Sequence, residues 1–172
     1  FNWILIPFTG SPEAAFWVTE WLVLLHGLLA GAGAYRLGRY AGLSGWGAML
    51  AAVAFTFCGF HDAHKKHTNM IFTLAWLPWL LLGAERWIRE KKEKHLFRMT
   101  LLLAVAYLAG HPQSALYITL FLAARFVYAA WDETRGAGAG RAGAVIGRSL
   151  PVGVLVVMAF ALTCIQWIPP WN

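Results

Sequence analysis

Three histidines recur at every third position, His61, His64 and His67, with Asp62, Lys65 and Lys66 set among them and Thr68 and Asn69 behind. No other stretch of the chain is so densely polar. Imidazoles at this spacing align on a 3₁₀ turn and spread over roughly 120° on an α-helix. With Asp62 beside them they can ligate zinc or a similar divalent ion, although zinc-binding histidines are more often spaced by three to five residues with partners elsewhere. Two other chemistries fit the same residues. One is a solvated polar loop. The other is phosphate or sugar handling, in which Lys65 and Lys66 suit an anionic lipid head group.

A second short motif, Gly110-His111-Pro112-Gln113, interrupts a long apolar run. Gly followed closely by Pro stops one helix and starts the next. Turn chemistry accounts for Gly110 and Pro112 but gives no reason for His111 and Gln113. His111 stands just before a helix N-terminus, where free N–H groups and the positive dipole end favour an anion, and the Gln113 amide can contact a hydroxyl.

Carboxylates able to serve as a general base are few. Asp62 lies in the cluster. Glu20 sits about two turns into the first apolar run, where a bare carboxylate is costly, and it reads first as an interfacial residue reaching water beside Trp17 and Trp21. Glu13 belongs to the entry segment. Ordinary solvation among neighbouring cations is expected for Glu85, Glu90, Glu93, Asp132 and Glu133. His26, in mid-run, reads as a helix–helix hydrogen-bond partner. Cys58 and Cys164 lie in apolar runs and read as small packing residues.

The elements that position these groups follow from composition. The chain has 172 residues, of which 59% are hydrophobic, 15% aromatic and 13% charged, against roughly a quarter charged in soluble domains. The expected fold is an all-α integral membrane bundle of about six transmembrane helices. The runs are residues 14–37, 46–60, 70–88, 96–110, 114–131 and 149–168, after an interfacial loop or half-helix over residues 1–13. Thr68 or Asn69 is expected to cap the third span, Pro78 to kink it, and residues 132–148 to form a mobile polar loop. A start without Met and a stop soon after an apolar run read as a piece of a longer protein.

Lys and Arg together number 14 against 8 Asp and Glu. Most cations fall in the short gaps after the first, third and fifth spans: Arg36, Arg39, Arg86, Arg89, Lys91, Lys92, Lys94, Arg98, Arg135, Arg141 and Arg148. The positive-inside rule then places these gaps on the cytoplasmic side of the membrane, which the resemblance given below implies is a bacterial cytoplasmic (inner) membrane. The histidine cluster, Gly110–Gln113 and both ends of the chain face outward. Tryptophans agree, with Trp17, Trp21, Trp167 and Trp171 at the outer interface and Trp46, Trp87 and Trp131 at the inner. No soluble basic face is evident, which argues against nucleic acid. The Gly138–Gly143 match to GxGxxG follows no strand and reads as a flexible loop.

The order of several motifs resembles the YfhO-like bacterial membrane proteins. They are Leu24 to Gly31 around His26-Gly27, Phe55 through Gly59-Phe60, His64, His67-Thr68-Asn69, Ala75-Trp76-Leu77-Pro78-Trp79, and Gly110-His111-Pro112-Gln113-Ser114-Ala115-Leu116-Tyr117. The similarity runs over residues 10–170. It implies a C-type membrane glycosyltransferase that moves a sugar from a polyprenyl-phosphate carrier to a cell-envelope acceptor outside the cytoplasmic membrane. Under it, His61, His64, Lys65, Lys66, His67, His111 and Gln113 bind the lipid phosphate and sugar, Asp62 and Glu20 are the candidate catalytic carboxylates, and the family's main carboxylate precedes this chain. A divalent metal at His61, His64 and His67 remains the weaker alternative. A transporter or flippase-like protein for a lipid-linked or anionic solute, or a non-catalytic subunit of a membrane complex, stays open beside it.

Overall fold

The computed structural model describes residues 9–59, 63, 64, 67–135 and 141–163. The chain is an all-α membrane bundle. Its helices are α1 (Pro12–Tyr40), α2 (Gly45–Thr56), α3 (Thr68–Leu74), α4 (Leu77–Glu90), α5 (Glu93–Leu108), α6 (Pro112–Glu133) and α7 (Arg141–Leu162). Three of them, α1, α6 and α7 from Ala142, are long and apolar enough to cross a membrane. Large apolar side chains lie exposed along their flanks, among them Leu28, Tyr117, Phe121 and Val157, as a surface facing hydrocarbon requires.

Local chemistry sets most helix ends. Ser11 Oγ accepts from Ala14 N–H (3.1 Å), and Pro12 opens α1 without a wasted donor. Ser44 caps α2 in the same way through Gly47 N–H (3.1 Å). Lys91 ends α4 in the left-handed region at φ 51°. Gly110 turns between α5 and α6 at φ +88°, a conformation that a side chain resists.

Three local expectations are corrected. Pro78 does not kink a continuous helix: α3 stops at Leu74 and α4 begins at Leu77, with Pro78 in the first turn of α4, where its missing N–H costs nothing. The N-cap residue of α3 is His67 rather than Thr68 or Asn69, and its own side chain makes no capping bond; Asn69 Oδ1 instead accepts from Met70 N–H (3.0 Å) from within the first turn. The stretch expected as a polar loop at 132–148 is partly helical, because α6 runs to Glu133 and α7 already starts at Arg141. Alanine and arginine in that stretch favour helix, and the pull of Gly143 and Gly147 is too weak to prevent it. Pro151 lies inside α7.

The core joins α4, α5, α6 and α7 through Leu80, Ala84, Met99, Leu103, Tyr107, Ile118, Leu122, Phe126, Val152 and Leu155. Against it α1 and α2 pack through small residues. A Cβ built on Gly38 would lie 3.3 Å from Ala48 Cα, and one on Gly31 would lie 2.8 Å from Thr56 Oγ1. Van der Waals contact drives helix association in a bilayer, where burying apolar surface gains little, so backbones approach where side chains are small. Trp79 Nε1 donates to Leu29 O (2.9 Å), locking α4 onto α1.

Long-range contacts sort the connections into two ends. Asn69 at the start of α3 meets Gly110 in the α5–α6 turn. At the opposite end Arg86 and Arg89 meet Tyr40, while Lys91 and Arg148 flank Glu133 at 2.8 Å and 3.7 Å. The described basic turns therefore gather at one end, and the described members of the histidine segment share the other with His111.

Glu85 departs from its expected solvation. Arg125 Nε donates to Glu85 Oε1 (2.7 Å) and Nη2 to Oε2 (2.9 Å), a bidentate pair joining α4 to α6. At the basic end Glu90 accepts from Lys92 (3.0 Å) and contacts the buried ring of His95 (3.1 Å). The Lys92 hydrogen bond, then that of His95, brings the Glu90 carboxyl down to about 2 from 4.5.

Candidate functional site

The end shared by Asn69 and His111 carries the best-formed polar group above an apolar cavity. Asn69 Nδ2 donates to Gly110 O (3.0 Å), while its Oδ1 accepts from Met70 N–H (3.0 Å). One side chain thus fixes the α5–α6 turn against the first turn of α3. Thr73 Oγ donates to Asn69 O (2.9 Å) one turn further on.

His111 is half-buried, and its Nδ1 accepts from Ser114 N–H (3.2 Å), so the imidazole itself is the N-cap of α6. An Nδ1 that accepts holds no proton. The neutral ring therefore carries its hydrogen on Nε2 and can donate it to an oxygen ligand. Protonating Nδ1 would set two N–H groups against each other and undo the cap. Gln113 Nε2 donates to the Tyr117 hydroxyl (2.7 Å) one turn along α6, which directs the amide and leaves its oxygen to accept.

Beneath these groups lies a cavity of about 360 Å³ lined by Phe55 at the end of α2, Cys58 just beyond it, Met70 and Leu74 of α3, Leu77 of α4, and His111, Gln113, Ser114 and Tyr117. Its walls are mostly apolar and its polar groups all come from the start of α6. That division matches an amphiphile, with a hydrocarbon chain against Leu74 and Leu77 and a polar head at His111 and Gln113.

The remaining candidates fall into place unevenly. His64 and His67 stand beside each other, ring centroids 6.2 Å apart, and His67 N–H donates to His64 O (2.8 Å). His61, Asp62, Lys65 and Lys66 lie outside the described residues, as does Cys164. Among the described residues no three His, Cys, Asp or Glu side chains gather as a metal site. Glu20 is exposed and lines a different cavity, of about 570 Å³, with Val23, Leu24, Gly27, Leu28, Thr56, Phe57, Gly59 and Ile71. Cys58 borders both cavities and is where they adjoin. His26 bonds Leu22 O on its own helix (2.7 Å) and stacks on Phe72 of α3 at 4.2 Å, so it joins helices through its ring face rather than through a hydrogen bond.

Sequence reasoning passed over Asn69 as a bridge and Tyr117 as the partner of Gln113. The signal for Tyr117 was present, since residues four apart share a helix face. For Asn69 there was none, because its partner lies 41 residues away.

A family model described as 6-pyruvoyl-tetrahydropterin synthase related domain, membrane protein, matches residues 5–170. The chain belongs to this family. Its description supports the membrane assignment and overturns the resemblance to YfhO-like proteins, which rested on short motifs strung between apolar runs. Such runs match one another readily, because hydrocarbon selects Leu, Ala, Val and Phe whatever the protein does. Glycosyl transfer, inferred through that resemblance, loses its support from kinship. Neither the curated proteins nor the solved structures yield a match to the chain.

Proposed function

We propose that this membrane protein binds a lipid-linked anionic substrate at the Asn69–His111 end, and that the reaction served is transfer of a sugar from a polyprenyl-phosphate carrier to a cell-envelope acceptor. The observation that carries the reading is the amphipathic cavity, apolar through Met70, Leu74 and Leu77 and polar through His111 and Gln113. A prenyl chain suits the first part and a phosphate the second. His111 Nε2–H offers a donor to a phosphate oxygen, and Gln113 Oε1 offers an acceptor to a sugar hydroxyl. Lys65 and Lys66, next to His64 and His67 in sequence, would add cations for the phosphate, together with His61.

In such a transfer the acceptor hydroxyl oxygen bonds the anomeric carbon. The bond from that carbon to the carrier phosphate breaks, and the lipid phosphate leaves with the electron pair. The hydroxyl proton passes to a carboxylate, contributing ~10²–10⁴-fold. Glu20, in the adjoining cavity, and Asp62 are the candidates within this chain. Donors at the leaving phosphate act electrostatically. By the positive-inside rule the basic end faces the cytoplasm, so the site opens on the outer side of a bacterial cytoplasmic membrane.

The test uses the full-length protein in nanodiscs with a photoactivatable polyprenyl-phosphate sugar. Crosslinks are expected at Met70, Leu74 or Tyr117, with sugar release to added acceptor. Crosslinks confined to the outer flank of α7 would defeat the reading. Crosslinks at the cavity with no transfer, but with carrier crossing the bilayer, would replace transfer by transport.

A further inference from the structure

Two groups of cations at the basic end differ in their partners, while Arg39, which donates to Leu43 O (3.2 Å), belongs to neither. Lys91, Lys92, Arg125, Arg135 and Arg148 each lie against a carboxylate: Glu133, Glu90, Glu85, Asp132 and Glu133 respectively. Arg36, Arg86 and Arg89, along the seam between α1 and α4, have no carboxylate partner among the described residues. They rest instead on aromatic faces. Arg36 lies over Trp79 at 5.1 Å from the ring centroid, and Arg86 and Arg89 flank Tyr40 at 5.6 Å and 4.9 Å.

Stacking differs from ion pairing in what it leaves free. A guanidinium engaged by an aromatic ring rather than by a carboxylate keeps N–H groups for a bidentate oxyanion. The neighbouring acids are already engaged: Glu85 by Arg125, and Glu90 by Lys92 and His95. Trp79 is itself anchored to Leu29 O, so the platform beneath Arg36 is rigid. Two exposed arginines and one half-buried one thus line the α1–α4 seam, each over a ring and without a carboxylate among the described residues.

We infer that the α1–α4 seam binds the phosphodiester head group of an anionic phospholipid in the leaflet at the basic end. The site is separate from the His111 cavity and does not depend on the function proposed for it. Its occupant is a lipid because the seam lies where helix ends meet head groups, and anionic leaflets attract such cations. The shared chemistry with free phosphate is the oxyanion, so the experiment must separate the two.

Full-length protein in detergent is titrated with phosphatidylglycerol or phosphatidylcholine and examined by native mass spectrometry for retained lipid. The wild type is expected to retain phosphatidylglycerol preferentially. Arg86→Gln/Arg89→Gln is expected to bind it at least ~10-fold more weakly, the loss of about one charge-assisted contact. Arg135→Gln, which removes a paired cation at the same end, should leave retention unchanged. Wild-type retention by the double Gln variant, equal retention of phosphatidylcholine, or displacement of the lipid by inorganic phosphate would each overturn the assignment. If the Gln variant does not fold, Arg86→Lys/Arg89→Lys keeps both charges and loses the planar forks. It should bind several-fold more weakly, and undiminished binding would equally refute the site.

Discussion

His111 does two things at once, and two substitutions separate them. Its Nδ1 caps α6 through Ser114 N–H, while its Nε2 is the donor offered to a ligand. His111→Ala removes both. Losing an N-cap costs about 1 kcal/mol, within a range of ~0.5–2, so the variant should insert and fold with a modestly lowered melting temperature. His111→Asn keeps the cap, because asparagine is among the best N-cap residues, but puts an amide in place of the imidazole. A hydrogen bond to a charged group contributes ~1.5–3 kcal/mol, which converts to roughly 10- to 100-fold in affinity. His111→Asn is therefore expected to match the wild type in thermal unfolding yet bind the polyprenyl-phosphate probe roughly 10- to 100-fold more weakly. The paired assays are unfolding followed by circular dichroism and probe crosslinking against concentration. If the Asn variant binds as the wild type does, His111 is a cap and nothing more, and the head-group assignment fails.

Three further outcomes follow from the packing. Removing one side of the Glu85–Arg125 pair, with side chains 23% and 28% exposed, should cost ~2–3 kcal/mol in Arg125→Leu, below the ~3–5 of a fully buried pair. Glu85→Leu/Arg125→Leu should recover more than half of that loss, and additive losses in detergent unfolding would show the two residues to be uncoupled. Glu90, whose carboxyl stands at about 2 rather than 4.5, contributes stability that is present above pH 4.5 and is lost as pH falls toward 2. Glu90→Gln should flatten that part of the pH–stability curve, whereas an unchanged curve would remove Glu90 from the acid response. Finally, a Cβ on Gly33 would lie 2.6 Å from Trp79 Nε1, while one on Gly147 meets nothing within 4 Å. Gly147→Ala should gain up to ~1 kcal/mol from helix propensity, and Gly33→Ala should lose ~1–3 kcal/mol net by displacing the indole from Leu29 O, read as opposite shifts in melting temperature.

Two classes of information in this chain have different origins. The sequence alone determined the helical membrane class, the stop at Gly110 with the start at Pro112, and the separation of cations into alternate connections. These are local properties: apolar length, backbone freedom, a missing N–H and charge beside a span. It could not say which faces of the helices meet. In α1 the buried residues include Ala15, Ala30, Gly33, Ala34 and Gly38, while Leu24, Leu25 and Leu28 lie exposed. A periodicity that sends large apolar residues inward therefore misjudges a helix whose outside is hydrocarbon.

Tertiary structure alone decided the contacts made across distance in the chain. Asn69 reached Gly110 over 41 residues and Arg125 reached Glu85 over 40. The cavity under His111 draws its walls from residues at the ends of α2, α3, α4 and α6, no two neighbouring pieces of which suggest a binding site. The same docking parts Glu20 from that cavity, with Cys58 where the two spaces adjoin. Residue type named the groups able to do chemistry; helix packing chose which of them share a site, because in a bilayer that choice rests on close steric fit between faces of nearly equal hydrophobicity.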